Sequence, residues 1–232
     1  MTNIIAIKNL LQQSISIPKE RHSAFFKTGV GHYAEHDQFI GVKVPTLRII
    51  AKSYNNLSLS EIQVLFDSPI NEERLLALFI LVGQYQKAKD NLKDELYQFY
   101  VSNLKRVNNW NLVDASAHLI IGAHLLKRDR AILFSLAQSE LMWARRIAIV
   151  STWYFIRHND LEDTFKLAVI LLQDTHDLIH KAVGWMLREA GKKNQSKLIA
   201  FLDKHARHMP RTMLRYAIEK FPENQRQLYL LC

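Results

Sequence analysis

An acid and an indole stand four residues apart near the middle of the chain, in the segment NNWNLVD at 108–114. Residues spaced i, i+4 lie on one face of a helix, so Trp110 and Asp114 are predicted side by side. A fixed anion beside an aromatic face suits a developing cation, such as the oxocarbenium-like transition state of glycosidic-bond cleavage. The alternative is a structural carboxylate, satisfied by the amides of a neighbouring helix or by an arginine.

A second tryptophan stands among cations. Its helical stripe follows the spacing i, i+4, i+7, i+11 and consists of Lys181, Trp185, Arg188 and Lys192. On such a stripe the indole can contact a sugar or a base while the cations bind phosphates. Gly184 precedes the indole and has no side chain to cover it. The alternative is a half-buried Trp185 next to a solvated charged face.

Arg146 occupies an otherwise apolar helical line that it shares with Met142, Ile149 and Trp153. A guanidinium on such a line should have an anionic partner, and the two candidates are Asp114 and a phosphate. The first partner would make Arg146 part of a structural ion pair, and the second would make it a nucleic-acid contact. The two roles can coexist.

A regular spacing connects these residues. Arg74, Trp110, Arg146 and Trp185 follow one another at intervals of 36, 36 and 39 residues. Two consecutive helices with their links occupy about 35–40 residues of this chain, close to the repeat length of HEAT and armadillo proteins. Equivalent positions in successive repeats line the same surface of a solenoid. The spacing therefore predicts one surface that carries all four side chains.

The elements that must position these side chains are helices. From residue 58 onward the apolar residues recur with a helical period, and no segment alternates as a half-buried strand does. We predict an all-α fold of helical repeats, in a single domain over residues 1–232. A compact helical bundle is the alternative, because no repeat motif recurs cleanly.

Local signals mark where several helices begin. Ser58 and Glu61 have the spacing of a capping box. The segment 24–48 holds three of the seven glycines and is predicted as a loop that leads into a helix starting at Pro45. Four acids are predicted as N-caps or first-turn residues: Asp90, Asp129, Asp160 and Asp177.

The charge of the chain is uneven. The net charge is +9, and residues 181–220 contain ten Lys or Arg and three acids, which is +7. The other 192 residues therefore total +2. A basic surface this concentrated indicates a polyanionic partner, with nucleic acid ahead of a membrane surface.

Composition and motifs exclude several classes of protein. The single cysteine, Cys232, excludes a disulfide framework and a thiolate metal cluster. No HEXXH motif and no Gly-x-Ser-x-Gly elbow occurs, and His32 and His36 lack an obvious third ligand. The longest apolar stretches are about ten residues, against the roughly 20 that a membrane-spanning helix needs. We expect a soluble cytoplasmic protein without a metal or an organic cofactor.

Five stretches of the sequence have a length, order and spacing that a random helical solenoid would not supply. They are FFKTGVGHYAEHDQFIGVKVPTLR at 25–48, NNWNLVD at 108–114, WARRIAIVS at 143–151, HKAVGWMLREAGK at 180–192 and MPRTMLRYAIEK at 209–220. In these stretches the chain resembles the AlkD-type DNA alkylation-repair glycosylases, from about residue 20 to residue 220. The resemblance implies a HEAT-like solenoid of antiparallel helix pairs whose concave, basic face holds duplex DNA.

The resemblance also implies an activity. Enzymes of this type are monofunctional glycosylases that remove cationic N3- or N7-alkylated purines and leave an abasic site, without needing a flipped base in a pocket. By position, Trp110 and Trp185 would pack against the deoxyribose, and Asp114 would stabilise the sugar cation and position the water. The residues that would bind DNA are Arg146, Arg145, Lys181, Arg188, Lys192, Arg74 and Lys27.

One departure from the family pattern falls in the N-terminal loop. A family aromatic residue that carries a hydroxyl aligns with Phe25, so a hydrogen bond to a phosphate or a water would be lost there. The glycine-containing loop at 29–41 marks a branch of the family that differs in its N-terminal helices.

The chemistry agrees with a single catalytic acid. An N-alkylated purine already carries positive charge, so it leaves as a neutral base without protonation. The enzyme has only to stabilise the sugar cation with an anion and aromatic faces, which predicts a preference for cationic lesions over neutral ones. We therefore predict an alkylpurine DNA glycosylase that acts as a monomer on duplex DNA and is nucleoid-associated when bound. The alternatives are a non-catalytic protein that binds damaged or branched DNA and a protein-interaction scaffold.

Overall fold

The computed structural model describes residues 2–231, apart from the side chains of Lys19, His22 and Ser23. Throughout that range the regular structure is helical, accompanied by two isolated β-bridges and no strand. The prediction of an all-α fold is confirmed. None of the described helices is both long and apolar enough to cross a membrane.

The chain divides into two compact units, one up to Ser116 and one from Ala117 onward. The helices that begin in the first unit are α1 (Thr2–Gln13), α2 (Lys19–Phe26), α3 (Val44–Ser53), α4 (Leu59–Phe66), α5 (Asn71–Lys87), α6 (Asp90–Ser102) and α7 (Trp110–Ala117), with a 3-10 turn at Leu104–Arg106. The prediction of a single domain over residues 1–232 stays a prediction.

The second unit begins with a π-helical turn at His118–Gly122. Its α-helices are α8 (Ala123–Leu125), α9 (Ala131–Ala137), α10 (Met142–Arg157), α11 (Glu162–Ile170), α12 (Asp177–Lys193), α13 (Gln195–His205), α14 (Arg211–Ala217) and α15 (Glu223–Leu230). Two 3-10 turns, Leu171–Gln173 and Ala206–His208, extend α11 and α13.

The first unit is organised around α5. Every residue from Asn71 to Val82 is buried, because the helix is apolar on nearly every side and packs against α3, α4 and α6. Its first turn is nevertheless polar, with four buried polar or charged residues at 71–74. These residues need partners inside the protein, and they find them at the candidate site described below.

Most of the local signals predict the helix starts correctly. The Ser58–Glu61 capping box is present, and α3 begins within one residue of Pro45. Asp90 and Asp177 are the first residues of α6 and α12.

The prediction is wrong for Asp129 and Asp160, because neither residue lies in the N-cap or first turn of a helix. Asp160 accepts a hydrogen bond from Arg130 at 2.7 Å instead. The same guanidinium binds Asp163 at 2.8 Å and lies on the ring of Phe155, 3.9 Å from its centroid. The Asp160 carboxylate therefore binds Arg130 and does not cap a helix, contrary to the prediction from the local pattern.

In the second unit, α10, α12 and α14 form one row in which each helix packs against the next. A second row contains α9 and α11, which pack against each other, and both pack against α10. The first-row helices begin at residues 142, 177 and 211, so the intervals are 177 − 142 = 35 and 211 − 177 = 34 residues. These intervals agree with the predicted length of a helix pair. The solenoid and its concave basic face stay predictions.

Two glycines permit close contacts between helix backbones in this unit. A Cβ atom at Gly122 would overlap the Ser151 carbonyl and the Cβ of Tyr154, and a Cβ at Gly184 would overlap the corresponding atoms of α14, including the Cβ of Tyr216. Gly122 and Gly184 are 62 residues apart, and so are Tyr154 and Tyr216. The same glycine–tyrosine contact therefore occurs at two places in the unit. Gly184 is thus explained by the approach of α14 to α12, and not only by its position before Trp185.

Gly184→Ala is expected to destabilise the protein by about 1–3 kcal/mol, because the new methyl group would overlap the α14 backbone. The matched control is Gly83→Ala in α5, where an added Cβ has no neighbour within 4 Å. There the change is expected to stabilise by about 0.5–1 kcal/mol, because alanine has the higher helix propensity. Urea unfolding followed by circular dichroism measures both. Equal effects of the two substitutions would contradict this account of Gly184.

Candidate active site

The start of α7 carries the predicted acid and indole. The Asn109 carbonyl accepts the N–H groups of Leu112 and Val113, each at 3.1 Å, which places Asn109 at the N-cap position. Trp110 is then the first residue of the helix, and Asp114 follows one turn later. Both side chains are partly exposed. The predicted neighbourhood of Trp110 and Asp114 on one helical face is therefore present.

Three aromatic rings support Trp110. Its indole stacks on Phe26 with the ring centroids 5.2 Å apart and the planes at 17°. Phe26 in turn stacks on Phe39 at 4.4 Å, and the ring of Phe25 meets the indole edge-on at 5.7 Å. Phe26 and Phe39 are buried, whereas Phe25 is 65% exposed. The stack holds the indole in one orientation, and Phe25 extends the aromatic surface towards solvent.

These rings border a cavity of about 530 Å³. Trp110 and Asp114 both line it, together with Phe25, Phe26, Phe39 and Phe79. Its volume lies within the range of about 300–1,000 Å³ that is typical of ligand pockets. The structure thus brings an acid and an aromatic wall to one open cavity, which can stabilise a cation.

A buried glutamate shapes the loop that carries Phe39. Glu72 is 3% exposed, and its carboxylate accepts the backbone N–H groups of Ile40 at 3.1 Å and Gly41 at 2.8 Å. Gly41 has φ of +93°, and a Cβ atom there would overlap the Ile17 carbonyl, so the loop requires a glycine. Because the loop is tied to the first turn of α5, Phe39 has a fixed support.

A second buried acid connects this loop to α7. Asp37 accepts hydrogen bonds from Asn71 at 2.9 Å and from Asn109 at 2.5 Å, and it forms an ion pair with Arg74. The Oδ1 atom of Asn109 accepts the Trp110 N–H at 2.7 Å. All four residues of the network are less than 9% exposed. Asp37 therefore positions the residue from which α7 begins.

The structure contradicts the predicted DNA contact of Arg74, because its guanidinium is buried within this network. The Arg74 side chain is only 3% exposed, and it binds Asp37 and, at 2.8 Å, the carbonyl oxygen of Ser68. A guanidinium needs an anionic partner when it is buried, and Asp37 supplies one within the fold. The regular spacing predicted one surface that carries four side chains, and Arg74 does not lie on an exposed surface.

Sequence reasoning missed Asp37, Glu72 and Asn109 as supports of the site. One signal was available, since four polar residues head a helix that is apolar on nearly every side, which indicates buried polar partners. A local sequence pattern cannot identify those partners, because Asp37 and Asn109 are 72 residues apart.

Trp185 lies in the second unit, on α12. It is half-buried and meets Trp153 edge-on at 5.0 Å, and Trp153 contacts the ring of His118 at 4.5 Å. Trp185 is therefore half-buried, as its structural alternative stated, and it belongs to an aromatic cluster while keeping a partly exposed surface. Its predicted meeting with Trp110 and Asp114 stays a prediction.

The cations of the Trp185 stripe have acidic neighbours. Lys181 binds Asp177 at 2.6 Å, Lys192 binds Glu189 at 2.8 Å, and Arg188 forms ion pairs with Glu189 and Glu219. Phosphates would compete with these carboxylates. The predicted DNA contacts of the stripe, and that of the exposed Lys27 after α2, stay predictions.

The two arginines of α10 both contact the segment around the start of α12. Arg145 binds Asp174 at 2.5 Å and the carbonyl oxygens of Ser139 and Glu140, each at 2.9 Å. Arg146 is 5% exposed and donates to the carbonyl oxygen of Leu178 at 2.5 Å. Both arginines thus have a structural role in the second unit, and their predicted contact with DNA stays a prediction.

Among the side chains that the structure describes, no group of three or more His, Cys, Asp or Glu residues is placed to hold a metal ion. The histidines at 32 and 36, which sequence analysis had considered, do not form such a group. Cys232 lies outside the described residues.

His176 is expected to make stability depend on pH. Its Nδ1 atom caps α12 by accepting the Leu178 N–H at 3.1 Å, and burial, opposed by Asp174, lowers the pKa of His176. As pH falls, the unfolded chain takes up the proton first, and a protonated Nδ1 cannot accept. Stability should therefore fall between about pH 7 and pH 5.5.

Urea midpoints at the two pH values measure this effect. His176→Asn should lose the part of the pH dependence that His176 contributes, because asparagine caps a helix in a pH-independent way. The exposed His208→Asn serves as the control and should keep the wild-type dependence. An unchanged dependence in His176→Asn would exclude His176 as its source.

Comparison with known proteins agrees with the all-α fold. A sequence model of the family described as "DNA alkylation repair enzyme" matches residues 7–221. The solved structure of a "Predicted DNA alkylation repair enzyme from Enterococcus faecalis" is similar, with a TM-score of 0.69 and 16% sequence identity, over 88% of this chain and 95% of that one. At this identity the similarity shows the fold alone. Comparison with curated proteins gave no match.

The family match covers most of the chain and includes α7 with Trp110 and Asp114 as well as the Trp185 stripe. It supports a role in DNA repair, and the basic composition had indicated a polyanionic partner such as nucleic acid. The chain belongs to the DNA alkylation repair enzyme family.

Proposed function

We propose that this chain is a monofunctional alkylpurine DNA glycosylase. It hydrolyses the N-glycosidic bond of cationic N3- or N7-alkylated purines in duplex DNA and leaves an abasic site. The observation that carries the proposal is the pairing of Asp114 with the supported indole of Trp110 at one open cavity. Family membership supplies the class of substrate, alkylated DNA.

The proposed reaction needs one carboxylate. As the C1′–N bond of the lesion breaks, its electron pair moves to the positively charged purine, which leaves as a neutral base. Positive charge then develops on the deoxyribose, where Asp114 and the face of Trp110 stabilise it. A water oxygen bonds to C1′, and its proton passes to the Asp114 carboxylate. Bond making and bond breaking balance without a second acid.

The DNA duplex is held in this proposal by the second unit. Trp185 and the cations Lys181, Arg188 and Lys192 lie within one stripe of α12, in the part of the sequence that carries most of the net charge. Arg145, Arg146 and Lys27 are further proposed DNA contacts. Displacement of counterions by such contacts makes affinity fall steeply with salt. The protein acts as a monomer in the cytoplasm.

The test is base release from defined duplexes. A duplex with one 7-methylguanine is incubated with the protein, the free base is measured by chromatography, and alkaline cleavage detects the abasic site. Release faster than spontaneous depurination supports the proposal, and release should be slower from a neutral lesion such as hypoxanthine. A rate equal to that in buffer would contradict the enzymatic function.

The second candidate is non-catalytic binding of damaged or branched DNA. The observation that favours it is Phe25, which meets Trp110 but has no hydroxyl group to bind a phosphate or water. This candidate predicts salt-dependent affinity and no release from any lesion. Phe25→Tyr distinguishes the two, because added base release in this variant would identify a weakened enzyme.

A further inference from the structure

Three rings of the second unit, those of His118, Trp153 and Trp185, form a contact series. The imidazole of His118 lies 4.5 Å from the indole of Trp153, centroid to centroid, and the Trp153 indole lies 5.0 Å from that of Trp185. The two indoles meet edge-on, with their planes at 61°. His118 is buried, whereas Trp153 and Trp185 are half-buried. The ring series therefore runs from a buried ring to two partly exposed ones.

The backbone around His118 is held against α10. Before it in the chain, the carbonyl oxygen of Ala117 lies 3.4 Å from the hydroxyl of Ser151. After it, Gly122 lies so close to α10 that a Cβ atom there would overlap the Ser151 carbonyl. His118 itself opens the π-helical turn, a rare conformation that is frequent at functional sites. Trp153 follows Ser151 by two residues, so backbone contacts on both sides of His118 hold these two rings together.

We infer that Trp153 and His118 are positioning residues for Trp185. Trp153 supports the indole of Trp185 directly, and His118 acts through Trp153. The inference rests on the proposed function, in which Trp185 packs against the deoxyribose of the lesion. An exposed indole on a helix has several rotamers, and packing against a fixed ring restricts them. An indole that is already oriented needs no reorganisation when charge develops on the sugar.

The first unit supports its own indole in a comparable way. Trp110 stacks on Phe26, which stacks on Phe39. In both units the supporting ring comes from another helix, since Phe26 lies on α2 and Trp153 lies on α10. A flat ring restrains the tilt of the indole beside it, whereas an aliphatic side chain only fills the volume. Replacement by an aliphatic residue should therefore fail where replacement by another aromatic residue succeeds.

The first experiment compares a flat and an aliphatic side chain at position 153. Single-turnover release of 7-methylguanine should fall about tenfold in Trp153→Leu, because the indole of Trp185 loses its fixed orientation. It should stay within about threefold of the wild-type rate in Trp153→Phe, which keeps a ring. Affinity for the duplex should change less than about threefold in both, because cations bind the phosphates. Equal losses of rate in the two variants would overturn the inference.

The second experiment tests whether His118 acts through Trp153. His118→Ala should lower the rate of release about fivefold, and His118→Phe should restore most of it. In a Trp153→Leu background, His118→Ala should have no further effect, because residues that act through one contact are not additive. Additive losses would contradict the role of His118. The matched control is His158→Ala, which removes an exposed ring that stacks on Tyr154 at 4.6 Å and should keep the wild-type rate.

Fluorine NMR of the protein labelled with fluorinated tryptophan reports the surroundings of Trp185 directly. The chain has four tryptophans, so the spectrum of Trp185→Phe identifies the Trp185 resonance. That resonance should shift or broaden in His118→Ala, return towards its wild-type position in His118→Phe, and stay unchanged in His158→Ala. A Trp185 resonance that is unchanged in His118→Ala would exclude the positioning role of His118.

The two proposals fail separately. If the wild type releases no lesion, the glycosylase function is wrong, and the Trp185 resonance still decides whether His118 positions this indole. If the wild type releases 7-methylguanine and Trp153→Leu releases it at the same rate, the glycosylase function stands and the positioning inference is wrong. Circular dichroism of each variant confirms that it is folded before either result is scored.

Discussion

Asp114→Asn is expected to lower the rate of 7-methylguanine release by about 10²–10³-fold, the usual loss when one preorganised electrostatic group is removed. Asparagine keeps the shape of the side chain but lacks the charge that stabilises the sugar cation. Affinity for the duplex should stay close to that of the wild type. Single-turnover release and salt-controlled binding measure the two quantities separately.

The control for Asp114→Asn removes the same charge elsewhere. Asp94 is exposed on α6 in the same unit and does not line the cavity, so Asp94→Asn should release the base at the wild-type rate. A wild-type rate in Asp114→Asn would show that the carboxylate is structural. A tenfold or larger loss of affinity in Asp114→Asn would show that its role is in binding.

Asp37→Asn is expected to destabilise the protein by about 3–5 kcal/mol. The change leaves the Arg74 guanidinium buried without its anion and disturbs the hydrogen bonds from Asn71 and Asn109. Urea unfolding at neutral pH measures the loss. In the folded fraction, base release should also fall, because Asn109 no longer holds the start of α7 in place.

Two variants test whether burial of the ion pair is the cause. The Arg106–Asp67 pair is about half exposed on both sides, so Asp67→Asn should change stability by less than about 1 kcal/mol. Combining Asp37→Asn with Arg74→Met removes the orphaned charge and should recover part of the lost stability. Equal effects of Asp37→Asn and Asp67→Asn would contradict the burial argument.

The helices were predictable because their signals are local. The Ser58–Glu61 capping box and the first-turn acids Asp90 and Asp177 act within one turn of the backbone. The same kind of signal failed at Asp160, whose carboxylate is bound by Arg130, 30 residues away in the sequence. The signal also failed at Asp129, so an acid near a predicted helix start is not sufficient by itself to place the N-cap.

Part of the candidate site could also be predicted from local sequence spacing. The i, i+4 spacing of Trp110 and Asp114 was sufficient to place them on one face, and the structure keeps them at one cavity. The burial of Arg74 depends on contacts between distant parts of the sequence. Its spacing suggested an exposed cation, but α5 is surrounded by α3, α4 and α6, so the guanidinium is enclosed and pairs with Asp37.

The amino-acid sequence by itself determined the helical class, a helix-pair length of about 35–40 residues, and the placing of an acid and an indole on one face of α7. These features are local, because backbone hydrogen bonds and helical periodicity link residues within a few turns. Tertiary structure alone decided that Phe26 and Phe39 stack behind Trp110, that Glu72 and Asp37 hold the loop and α7, and that a cavity opens beside Asp114. Those features depend on burial and on partners tens of residues apart, and no local pattern carries that information.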